Sequence, residues 1–203
     1  MMYAKLQNEI KKKGFTILES LVSISILAVA VTGPLVYVTN SLKAAEIARD
    51  QTIAFYLAQD AIEHIKNIRD NNTAFGGDRA DWLTGLEACM NTECYFGRSP
   101  AYVTPVACPT NPNPNCPFLN MNGTGESFQG YGYENGGAWE QSRFVRTVII
   151  EIVDHDMAGY SNPGNNEEAK ITVTVDWTTR NFDRTVNVVE HIFNLHVEPT
   201  YEQ

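Results

Sequence analysis

Between Phe15 and Val38 the only side chain charged at neutral pH is Glu19. A carboxylate at membrane depth costs on the order of 3 kcal/mol, so it calls for a partner or a compensating role. A cut at the basic boundary before the run would free an amine near it. The simpler alternative is a carboxylate that reaches the interface from the first turn. Cys89, Cys94, Cys108 and Cys116 form the second group. An even count in a loop-rich, exported stretch reads as two disulfides, with three possible pairings. The local pairing, Cys89 with Cys94 and Cys108 with Cys116, is preferred, and the other two stay open. C-x4-C followed by C-x7-C, with prolines inside the second loop, suits zinc poorly. Asp154, Asp156, Asn162, Asn165, Asn166, Glu167 and Glu168 crowd one segment but lack the ordered spacing of a calcium loop, so they read as a solvated acidic loop. His64, His155, His191 and His196 are scattered, and no GxSxG, P-loop or GxGxxG stretch occurs. No catalytic residue, metal or cofactor is therefore assigned, and the chain is expected not to be an enzyme.

The elements that must position these residues follow from composition. Residues 1–14 are short and basic and lack the apolar core of an ordinary secretory signal. The apolar run comes after them, and its 24 residues from Phe15 to Val38 would span roughly 36 Å as a helix, enough for a hydrocarbon core of about 30 Å. The lysines before it place the N-terminus on the cytoplasmic side. Gly33-Pro34 interrupts the run and predicts a kink or local melting. From Ser41 to Asn71 neither glycine nor proline occurs. Leu42, Ala45, Arg49, Ile53, Leu57, Ile62, Ile65 and Ile68 recur there at helical spacing, a face that would cover a sheet. Asp70-Asn71-Asn72 marks the expected stop.

Residues 72–141 are rich in Gly, Pro, Asn and aromatic side chains and read as turn chemistry in need of stapling. Strands are predicted over 143–153, 170–178 and 184–193. Ile171, Val173, Val175 and Trp177 point inward in alternation with Thr172, Thr174 and Asp176, and Thr179 to Asp183 forms the hairpin loop. The fold class is thus α+β: a long N-terminal helix, amphipathic over 41–70, on a C-terminal antiparallel β-meander over 143–195. Removing residues 1–14, which carry a net +3, takes the formal charge from −9 to −12. That charge, with no basic patch after residue 14, argues against nucleic-acid binding. Arg143 and Arg146 are read as a solvated strand face.

Lys11-Lys12-Lys13-Gly14-Phe15-Thr16-Ile17-Leu18-Glu19-Ser20, followed by the apolar run, resembles the prepilin signal of type IV pilins and type II secretion pseudopilins. The resemblance implies a pilin-like fold of three parts: a leader over 1–14, an assembly half of the helix over 15–40 and a head over 41–203. It implies cleavage between Gly14 and Phe15 by a membrane prepilin peptidase, with N-methylation of Phe15. It also implies that Glu19 pairs with the amine of a neighbouring subunit and sets axial register, and that Gly33 and Pro34 mark a helix break used in assembly. Implied partners are further copies of the chain, other pilins and an inner-membrane assembly platform. The implied location is the cytoplasmic membrane before assembly and a surface pilus afterwards. The alternatives are a minor pseudopilin of a type II secretion or DNA-uptake machine, or a tip adhesin using the aromatic region from Phe128 to Trp139.

Overall fold

The computed structural model describes residues 14, 16–75, 82–97, 104–109, 116–153 and 168–195. One helix, α1, runs Ile17–Phe75. The chain divides into two compact units, Met1–Ala48 and Arg49–Gln203, with α1 contributing to both. Leu42 and Ala45 are exposed, and burial on this helix begins at Asp50.

In the first unit α1 passes through Gly33 and Pro34 with no break in its secondary structure, so the local melting expected there is absent. Proline withholds one hydrogen bond from the turn. The Thr32 hydroxyl donates in the same turn, to the carbonyls of Ala28 at 3.0 Å and Val29 at 3.2 Å.

In the second unit α1 buries Leu57, Ile62 and Ile65 of the expected face, and alanines widen it. Ala54, Leu57, Ala58, Ala61, Ile62 and Ile65 are buried, whereas Arg49 is exposed and Ile53 and Ile68 only flank the core. Ala54, Ala58 and Ala61 have no exposed surface at all. Small residues at successive turns are as much a part of the buried seam as the isoleucines. The helix also outruns its expected stop. Asn72 donates through Nδ2 to the carbonyls of Trp82 and Thr84, and the Thr73 hydroxyl donates to Arg69 O. These side chains, turn-formers when free, are here satisfied within a helix.

Among the described residues the sheet has seven strands: β1 Cys94–Tyr95, β2 Val106–Ala107, β3 Phe118–Asn122, β4 Gly130–Gly132, β5 Trp139–Ile152, β6 Glu168–Thr179 and β7 Phe182–Phe193. All named pairings are antiparallel. β5, β6 and β7 form the meander, and Arg180 and Asn181, both at positive φ, close the β6–β7 hairpin. That is a two-residue turn of the primed type, shorter than the expected loop. On its other edge β5 pairs with β3 near Trp139–Val145 and with β1 at Val148. The segment 72–141 is therefore not turns alone: its four short strands extend the sheet.

Two disulfides staple that segment, Cys89–Cys94 and Cys108–Cys116. The first lies against β5, where Asn91 N donates to Ile150 O at 2.9 Å. The second joins it through Cys108 N, which donates to Glu93 O at 2.8 Å.

Arg146 corrects the solvated-face reading, whereas Arg143 is exposed. Arg146 shares strand parity with Phe144, Val148 and Ile150, and only 3% of it is exposed. It donates to Leu57 O at 3.0 Å, to Phe96 O at 2.6 Å and to Asp60 Oδ2 at 3.2 Å, and lies over the Phe96 ring. One side chain thus ties α1, β5 and the residue that follows β1. Arg143 reaches the buried Asp50 at 2.9 Å, which also accepts from the Thr179 hydroxyl at 2.8 Å. A buried guanidinium persists only when its charge and donors are matched, and here they are. Burial pushes the Tyr133 hydroxyl above its ordinary value, and the Arg146 guanidinium pulls it part of the way back.

Candidate functional site

The first unit presents the feature with the clearest consequence. Ile17, Leu18, Leu21, Ile24, Leu27 and Val31 are all exposed, as are Leu35, Val36 and Val38 beyond them. Large contiguous apolar patches on a protein surface mark contact with a membrane or another chain. The helix holds an 18-residue window of mean hydropathy 2.2, none of it buried, and is long and apolar enough to cross a membrane.

Its polar atoms are turned inward. The hydroxyl of Ser20 donates to Thr16 O, that of Ser25 to Leu21 O, that of Thr32 to Ala28 O and that of Thr39 to Val36 O. Hydroxyls spent on the helix's own carbonyls leave an apolar exterior, as a hydrocarbon environment requires.

The start of the helix has a local cause that sequence reasoning missed. Thr16 precedes the first helical residue, and its hydroxyl oxygen accepts from Glu19 N at 3.2 Å, while Ser20 N donates to Thr16 O. This is an N-cap, a contact whose loss costs about 1 kcal/mol in typical helices. The available signal was Thr16-x-x-Glu19, the Ser/Thr-x-x-Glu spacing of a capping box. Glu19 is exposed in the first turn, where the positive end of the helix dipole favours a carboxylate.

Gly14 is exposed, and Phe15 lies outside the described residues, as do residues 1–13. A Cβ added at Gly14 or Gly33 would meet nothing, so neither glycine is required by contacts within the described chain. Gly33 and Pro34 sit in mid-helix, well beyond Glu19 along the same element.

The remaining candidates disperse. His64 stacks on Phe96, while His191 meets Glu168 through Nδ1 at 2.5 Å. Glu168 thus belongs to β6 and is buried rather than part of a solvated loop. The other members of that acidic stretch, with His155 and His196, lie outside the described residues. Among the described residues no three His, Cys, Asp or Glu side chains group as a metal site.

Residues 10–33 match the model of the prokaryotic N-terminal methylation motif, the signal of type IV pilins and pseudopilins. No curated protein and no solved structure matches the chain. The motif spans the lysines, Gly14, Phe15, the Thr16 cap, Glu19 and the apolar turns up to Gly33. It implies processing by a prepilin peptidase, and with the exposed apolar helix it fits insertion into a membrane before assembly. The long helix on an antiparallel sheet is a pilin-like α+β architecture.

Proposed function

We propose that the chain is a structural subunit of a type IV pilus-like filament, cut between Gly14 and Phe15, N-methylated on Phe15 and assembled through the first half of α1. The observation that carries this reading is the fully exposed apolar helix bearing one carboxylate, Glu19, in its first turn, inside the methylation motif. A surface so apolar needs lipid or other copies of itself around it. Lipid covers it before assembly, and packed helices cover it in the filament.

Glu19 then gains a task that its own helix does not give it. Within a bundle of identical helices, the charged amine of one Phe15 neutralises the Glu19 of a neighbour and fixes how far one subunit rises on the next. Subunits related by such a head-to-tail contact grow into an open helical polymer. Gly33, unconstrained within its own chain, leaves room for a neighbouring helix, and Pro34 lowers the cost of stretching the helix there. Catalysis of the cut belongs to the peptidase.

Imaging cells that express this subunit as their only pilin tests the reading. Long surface filaments containing the chain are expected. Short periplasmic assemblies would instead assign it to a secretion-type machine, and no polymer at all would refute assembly through α1.

A further inference from the structure

β7 stands at an edge of the sheet: among the described residues β6 is its only strand partner. It pairs with β6 along its full length of 12 residues, with no shift of register. Edge strands carry free N–H and C=O groups that template a further strand, and they are commonly guarded by lysine, proline, a bulge or short length. β7 has none of these guards. What it has is a pair of charges, Arg184 and Glu190, on the strand parity of Val186, Val188 and Ile192, the side packed on the core. Charges so placed obstruct any added strand that carries nothing to match them.

A second copy of β7 does match them. Laid antiparallel about Asn187, the two strands set Arg184 of one copy opposite Glu190 of the other and Asp183 opposite His191, and symmetry repeats both pairs. Val186 then faces Val188, and Thr185 faces Val189. A slip of two residues is the smallest that keeps the same faces together. It would set Arg184 against Val188 or Ile192 and lose both pairs. The groups concerned are within reach. Glu190 meets Lys66 of its own chain, yet its side chain is 39% exposed. Asp183, Asn187 and His191 are exposed.

We propose that the second unit self-associates as a two-fold dimer in which the β7 edges pair antiparallel about Asn187 and make one continuous sheet. Main-chain hydrogen bonds along the edge supply the attraction, and the charge pattern admits a second copy in a single register. A two-fold contact closes on itself, and no two-fold relates the subunits of one polar filament. If the chain polymerises, this contact therefore joins subunits of separate filaments. The dimer itself does not depend on that reading.

Asn187→Cys places a thiol on the two-fold axis, and the four native cysteines are already paired. Treated with a short bismaleimide, the full chain in detergent micelles should form covalent dimers. Phe182→Cys, exposed at the start of the strand, sets its two thiols roughly 34 Å apart by strand rise and should form none. Adding Arg184→Glu to Asn187→Cys should lower the dimer yield at least tenfold, whereas adding Arg184→Lys should keep it. No dimer from Asn187→Cys, or equal yields from it and Phe182→Cys, would overturn the proposal with no charge variant involved. So would dimers undiminished by Arg184→Glu, or a loss just as great with Arg184→Lys.

Discussion

Replacing Arg146 with methionine should lower the unfolding free energy of the second unit by about 3 kcal/mol, the largest stability effect expected of any single surface-to-core contact here. Methionine keeps much of the apolar stem but removes every donor. Phe96 O, which accepts from Nη2 at 2.6 Å, loses that partner, and Asp60 loses its cation. Leu57 O retains its place in the helix ladder but gives up the cross-link to β5. The Phe96 ring also loses the guanidinium above it. By contrast, Lys170→Ala breaks an ion pair with Glu151 whose partners are 36% and 46% exposed. Exposed pairs of that kind contribute about 0–1 kcal/mol. Denaturant unfolding with both disulfides intact should separate the two variants clearly, with the Arg146→Met midpoint moved far more. Similar midpoints would mean that the guanidinium is not the tie the geometry describes.

The second large effect concerns assembly. Glu19→Ala should leave processing of the leader largely intact yet reduce filament incorporation at least tenfold. The carboxylate is exposed within its own chain, so its removal costs the isolated subunit little beyond a favourable first-turn charge of about 0.3–1 kcal/mol. In a packed bundle the same change leaves a neighbour's amine buried without a counter-charge, a far greater penalty. Thr16 still caps the helix in this variant, because the bond is donated by the backbone N–H of residue 19. Quantifying sheared filaments against the membrane pool separates assembly from expression. Filament yields equal to those of the native chain would sink the pairing between subunits.

How much of this was legible depended on whether structure was coded locally. The alternation of Ile171, Val173, Val175 and Trp177 announces β6, and neighbouring strands follow from the same period-2 pattern. The apolar run and Glu19 announce the N-terminal site just as directly. β1 to β4 were invisible because each has only two to five residues and exists by pairing with β5 or a neighbouring strand, a contact distant in sequence.

Arg146 was misread by type rather than by place. Its parity with Phe144 and Val148 put it on the inward face, and the usual exposure of arginine hid that. The helix seam was read in part: Leu57, Ile62 and Ile65 are buried as expected, Leu42 and Arg49 are exposed, and Ala54, Ala58 and Ala61, small and weak in hydropathy, complete the buried face.

Glu19, the cap at Thr16 and the apolar turns up to Gly33 have a common purpose only if the chain is cut ahead of Phe15 and then polymerised. Intact mass and N-terminal sequencing of the subunit in sheared surface filaments measure both at once. The account predicts a chain beginning at N-methylated Phe15, recovered in polymer. A chain that retains residues 1–14 and remains wholly in the membrane fraction would contradict it.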